Sequence, residues 1–139
     1  MSAITTVALL PLLIIVLITT LELGSLRVIA ARVRSAADLA ALVAVNDQDD
    51  AELGRSGRLI PAVDAADVAR AVFAANLEPV AAMLAMTPAD IASGASVSVD
   101  ATPATVHVRA NVPVRTPVFG ALFFHPVTDV PVMANGGAR

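Results

Sequence analysis

The feature that most constrains this chain is a long apolar stretch without charge at its start. Residues 1–21 contain no Asp, Glu, Lys or Arg, and Ile, Leu and Val dominate them. About 20 apolar residues are enough for a helix to cross the hydrocarbon core of a bilayer. The stretch is therefore predicted to be a helix that lies in a membrane or among equally apolar helices.

The helical pattern continues after this stretch and becomes amphipathic. Apolar residues recur at spacings of three and four from Leu26 to Ala44. Read as one helix, residues 3–45 would run about 65 Å at 1.5 Å per residue. Pro11 removes one backbone hydrogen bond and is expected to bend or loosen the helix. We therefore predict an N-terminal helix over residues 1–46, apolar in its first half and amphipathic in its second.

A cleaved signal peptide is the alternative to an anchor. Such peptides begin with basic residues and have a shorter apolar core. No Lys or Arg precedes this stretch, and the helical period runs past its end, so an uncleaved anchor is favoured. Arg27, Arg32 and Arg34 follow the span, and the positive-inside rule alone would place the C-terminus in the cytoplasm.

Residues 47–62 are predicted to be an acidic, Gly-containing loop. Asp47, Asp49, Asp50 and Glu52 cluster there, and the plain interpretation is a solvated loop. A calcium site is the alternative, but the fixed Gly and distant Glu of an EF-hand are missing.

Residues 63–139 are predicted to form a small head domain that begins with helices. Asp64 is a candidate N-cap with Asp67 in the capping-box position, and an apolar stripe predicts a helix over Ala65–Leu77. Residues 80–85 are predicted to add a short helical turn, with Met83 and Met86 filling the core.

From Ser96 the apolar period changes to two, which is typical of strands. Two strands are expected on either side of a turn at residues 100–104, and a third at residues 130–134. Pro113 and Pro131 should confine their strands to an edge or a bulge. The predicted fold class is α+β: a long N-terminal hydrophobic helix, a small helical segment and a three-stranded, mainly antiparallel sheet.

An apolar segment between the second and third strands allows two interpretations. It contains three of the four Phe residues of the chain. Burial in the small core is the default, and contact with a neighbouring subunit or the membrane is the alternative. The residues of this possible secondary contact are Phe119, Leu122, Phe123 and Phe124.

Nothing in the sequence predicts catalysis. The chain has no Cys and only two His, His107 and His125, neither with a second ligand at metal spacing. A nucleophile elbow and a phosphate-binding glycine loop are both missing. The net charge of −3 provides no basic field for nucleic acid. We expect no enzyme activity, no cofactor, no metal site and no nucleic-acid partner.

The sequence resembles the N-terminal region of tight-adherence (Flp) pilus proteins, and most closely the TadE/TadG-like pseudopilins. The resemblance lies in ALLPLL at residues 8–13, LELG at 21–24 and RVRSAADLAAL at 32–42. FAAN at 73–76, the valine-alternating strands and VPVRTP at 112–117 are similar too. The resemblance implies an exported protein with the helical spike of a type IV pilin, anchored in the membrane by that helix and assembled into or beneath a surface pilus.

Two features depart from the pilin pattern. Pilin-like proteins usually carry a Glu at the fifth mature position, but Thr5 stands there if Met1 is the first mature residue. The leader-peptidase site is also absent from the sequence. If a basic leader ahead of Met1 has been removed, the orientation conflict with the positive-inside rule disappears.

The leading hypothesis is a structural subunit of an extracellular filament whose N-terminal helices bundle, with the head outside. It implies a cell-surface pilus active in adhesion, a membrane location before assembly, and copies of itself, other pilins and an assembly platform as partners. The rival is a single-pass, membrane-anchored accessory pseudopilin that never polymerises. Glu22 is expected to meet lipid headgroups or to pair with an Arg of a neighbouring subunit. The predicted subunit-packing residues are Ile4, Val7, Pro11, Leu12, Ile15, Ile18, Glu22, Leu26, Ile29 and Val33.

Overall fold

The long helix predicted at the N-terminus is present and continuous. The computed structural model describes residues 2–137, with side chains at residue 7 and from residue 9 onward. Helix α1 spans Ser2–Asn46, and it continues through Pro11 as one element. A proline is tolerated within a helix when surrounding groups make up for the lost hydrogen bond.

The remaining elements form a small α+β head, which confirms the predicted fold class. Short helices and a three-stranded sheet follow α1 along the chain. Their bounds are Asp50–Ser56 (α2), Ala65–Leu77 (α3), Glu78–Met83 (a 3-10 helix), Pro88–Ser93 (α4), Ser96–Ala101 (β1), Ala104–Arg115 (β2), Pro117–Phe123 (α5) and Val127–Gly137 (β3).

The sheet is antiparallel, with the strands in the order β1-β2-β3. Its register places Val99 opposite Val106 and Val108 opposite Ala134. Pro113 lies beyond the part of β2 that pairs with β1, and Pro131 lies on the edge strand β3. Both prolines therefore avoid a fully paired position, as the sequence predicts, because proline has no N–H to donate.

The core lies where the second half of α1 packs against both α3 and the sheet. Its α1 side is a stripe of fully buried small residues that includes Ala37, Ala40, Ala41 and Ala44. Strand β3 crosses this stripe so closely that a Cβ on Gly136 would lie 2.4 Å from the carbonyl oxygen of Ala41. Only glycine fits at such a backbone approach. Phe73 and Leu77 of α3 supply larger side chains to the same core.

The segment predicted as an acidic loop contains a helix instead. The carboxylate of Asp49 accepts hydrogen bonds from the backbone N–H groups of Ala51 and Glu52, at 3.0 and 3.1 Å, and so caps α2. Gly57, at φ +66°, ends the helix in the left-handed conformation. Acidic residues in the first turn, which suggested a loop, favour the positive end of a helix.

The capping box predicted at Asp64 does not form, although α3 has the predicted bounds. Asp64 has φ −94° and ψ 6°, and its side chain makes no capping hydrogen bond. An N-cap side chain reaches its target amides from an extended backbone, which Asp49 has and Asp64 does not.

Candidate functional site

The apolar first half of α1 extends beyond the head, and its residues 9–18 are exposed on every side. Its large side chains from Val7 to Leu21 keep between 41% (Ile18) and 74% (Val7) of their surface accessible. Among the residues that the structure describes, α1 is the one helix that is long and apolar enough to cross a membrane.

This exposure is costly in water. Burying one fully exposed Val, Leu or Ile side chain gains about 1.5–3 kcal/mol. Eleven such residues between Val7 and Leu21 keep 41% to 74% of their surface accessible, so covering the remaining surface is worth on the order of 10 kcal/mol. That is comparable to the roughly 5–15 kcal/mol by which a whole domain is usually stable. A nonaqueous surrounding therefore strongly favours this part of α1.

Glu22 marks the point where α1 meets the head. Its carboxylate accepts hydrogen bonds from the backbone N–H of Val118 at 2.9 Å and of Phe119 at 2.8 Å. These amides belong to the first turn of α5, where unpaired N–H groups favour a negative charge. Glu22 is only 7% exposed. The sequence led us to expect lipid headgroups or a neighbour's Arg around Glu22; its hydrogen-bond partners are instead backbone amides 96 and 97 residues along the same chain.

Helix α5 is held in place by hydrogen bonds between the residues just before it and those just after it. The buried Thr116 donates its hydroxyl to the carbonyl oxygen of His125 at 2.8 Å, and its N–H to that of Pro126, also at 2.8 Å. Phe124 ends α5 at φ +58°, an unusual conformation for a residue with a side chain. Neither Thr116 nor this turn was singled out in the sequence, because bonds to backbone carbonyls leave no compositional signal.

The apolar residues of α5 face outward rather than into the core. Phe123 is 60% and Phe124 89% exposed, and Leu122 is exposed as well. Phe119 is half-buried, and its ring packs edge to face with that of Phe123 at a centroid distance of 6.0 Å. The default expectation of burial is wrong here, because the core is already filled by residues of α1, α3 and β2.

An apolar groove of about 760 Å³ joins the two exposed surfaces. One wall is α1 around Ile18 and Leu21; the other carries Val118, Pro126 and Val127. Met83, predicted to fill the core, also lines this groove, and both it and Met86 are half exposed. The 3-10 helix of Met83 lies at the rim of the core rather than inside it.

The predicted subunit-packing residues fall into three groups. Val7, Pro11, Leu12, Ile15 and Ile18 are accessible, while the side chain of Ile4 lies outside the described residues. Glu22, Ile29 and Val33 are buried within the chain itself, and Leu26 packs against the same core. These last four are therefore corrected to internal contacts, because their helix face is covered by the head.

Comparisons of this chain with protein-family models, with curated proteins and with solved structures found no match.

The polar groups around His107 are engaged with one another. Nδ1 of His107 lies 2.7 Å from Oδ1 of Asn135, and Nε2 lies 3.4 Å from a carboxylate oxygen of Asp100. Both ring nitrogens thus have a partner. Within residues 2–137, no three His, Asp or Glu side chains converge as a metal site would require. The surface with a distinctive chemistry is the apolar one formed by α1 and α5.

Proposed function

We propose that this chain is a structural pilin-like subunit of an extracellular filament. The observation that carries the proposal is the division of α1 at Glu22. In the apolar half before it, residues 9–18 are exposed all round, and the half after it is fixed in the head. In the filament, the apolar halves of many copies bundle into a core, and the heads form the outer surface.

The charge distribution along α1 supports such a bundle. Glu22 is the only charged residue before Arg27, and its carboxylate is already bonded to α5. Bundling residues 7–21 thus buries no unpaired side-chain charge, which would cost several kcal/mol. Exchange of lipid for equally apolar neighbours also leaves residues 7–21 shielded from water throughout assembly.

The second candidate is a single-pass accessory protein that stays in the membrane. Its support is the same exposure on all sides of residues 9–18, which a lipid surrounding satisfies without any protein neighbour. In that case the head acts alone at the membrane surface, as an anchored part of an assembly machine.

Electron microscopy of sheared surface material, with mass spectrometry of its subunit, separates the two candidates. Filaments built from this chain are expected. Val16→Asp should abolish them, because the variant places a charge in the apolar core. Val63→Asp is the matched control, since Val63 is 99% exposed on the head, and it should leave assembly intact. Recovery of the native chain only from membranes, or normal filaments from Val16→Asp, would refute the filament.

A further inference from the structure

We propose that α5 is a second membrane contact: its exposed aromatic end lies in the interfacial layer of the bilayer that holds α1. The partner is the lipid surface itself. The inference rests on the proposed function, in which α1 lies in the membrane before the filament assembles. It adds that the head lies against the bilayer instead of standing free of it.

The depth of α5 is set by its bonds to α1. Leu21 is the last residue of the charge-free run, and Glu22 directly after it binds the first turn of α5. The turn that ends α5 is closed by Thr116. Helix α5 is thereby fixed beside the point where α1 leaves the apolar layer.

The side chains that α5 exposes are suited to that depth. Leu122, Phe123 and Phe124 are exposed next to one another at its C-terminal end. Apolar and aromatic residues on a short element beside a membrane anchor insert at the boundary between headgroups and acyl chains. In water they would form an unfavourable apolar patch.

Continuity with the span identifies lipid, rather than a soluble protein, as the occupant. The groove between α1 and α5 has Ile18 and Leu21 on one wall and Val118 and Val127 on the other. The groove also contains Glu22 and Ser25, but most of its lining residues are apolar and continue the surface around Ile18. Acyl chains that surround Ile18 therefore extend into the groove along this apolar surface. Arg115 lines the same groove, and it forms no ion pair with any residue in the range 2–137. Its long apolar stem allows the guanidinium to reach lipid phosphates.

Single-Trp variants of the full chain test this contact, because the natural sequence has neither Trp nor Tyr. Phe124→Trp, Val16→Trp and Val63→Trp are each reconstituted at low density in phosphatidylcholine vesicles with and without brominated acyl chains. All three positions are exposed, so the substitutions leave the core untouched. Val63 lies beyond the far end of α1: the N–H of its neighbour Ala62 bonds to the carbonyl oxygen of Asp47, just after the helix. Val63→Trp therefore serves as the control in water.

We expect blue-shifted emission and strong loss of emission on bromination for Phe124→Trp and Val16→Trp, and neither effect for Val63→Trp. If Val16→Trp is quenched while Phe124→Trp behaves as Val63→Trp does, the α5 contact is overturned and the membrane anchor stands. Blue-shifted but unquenched emission from Phe124→Trp overturns it too, because a second copy then covers α5. An unquenched Val16→Trp refutes the membrane-inserted state itself, and the α5 contact with it.

Discussion

The two halves of α1 belong to one continuous helix and have opposite surroundings. Before Glu22 the side chains are mainly Leu, Ile and Val, and those from Leu9 to Ile18 remain exposed. After it, the buried face is mostly Ala, and it packs against β3 and α3. The half with the larger apolar side chains is thus the half that the head leaves uncovered.

Side-chain size explains this difference better than hydrophobicity does. A stripe of small residues lets a second backbone approach closely, as β3 does at Gly136. Large side chains prevent such an approach by a backbone, but they provide area for lipid or for other helices to cover. The second half of α1 therefore packs against its own head, and the first half presents large apolar side chains that the head does not cover.

The largest expected effect tests whether the two halves are independent. Val33 is fully buried and Val16 is 58% exposed. Val33→Asp should unfold the head, because an unpaired charge buried in the core costs several kcal/mol. Val16→Asp should leave the head as resistant to trypsin as the native chain, in detergent. If Val33→Asp proved as resistant to trypsin as the native chain, the head would fold without α1.

A change at Gly136 tests the close approach that defines the second half. Its Cβ would lie 2.4 Å from backbone oxygen, whereas a Cβ on Gly137 would meet only the Thr105 methyl at 3.8 Å. Gly136→Ala should lower the free energy of unfolding by about 3 kcal/mol, because overpacking here requires backbone movement.

Gly137→Ala is the matched control and should change the free energy of unfolding by no more than about 0.5 kcal/mol. Denaturant unfolding in detergent measures both variants. If the two variants are equally stable, β3 does not lie against Ala41 as described.

The junction between the halves is tested at Glu22. A hydrogen bond to a charged group is worth about 1.5–3 kcal/mol. Glu22→Ala should therefore speed the exchange of the Val118 and Phe119 amide hydrogens by about tenfold or more, since 1.4 kcal/mol is a factor of ten. Amides of the central strand β2, such as that of Val108, should exchange as in the native chain. Unchanged exchange at Val118 would show that α5 is held without Glu22.

Elements of the fold that depend on the local spacing of residues could be predicted well from the sequence. The bounds of α3, the alternation in β2 and the turn before Ala104 all follow from spacing along the chain. The partners of Glu22 did not, because they are 96 and 97 residues away and are backbone amides with no side-chain signal. The outward position of Phe124 depends on a core that other elements fill, which no local pattern reports.

The smallest expected effect concerns a segment that packs on neither half. Helix α2 has no buried residue, and Asp49 caps it, whereas Asp64 before α3 makes no capping bond. Asp49→Ala should destabilise α2 locally by about 1 kcal/mol, the usual cost of losing an N-cap. Hydrogen exchange at the amides of Ala51 and Glu52 measures this loss. Asp64→Ala should leave the exchange of α3 unchanged, although Asp64 is the residue that the sequence pattern favours. Faster exchange in α3 on removal of Asp64 would mean that its carboxylate caps the helix in solution. Asp64→Ala, rather than Asp49→Ala, would then have the larger effect on hydrogen exchange.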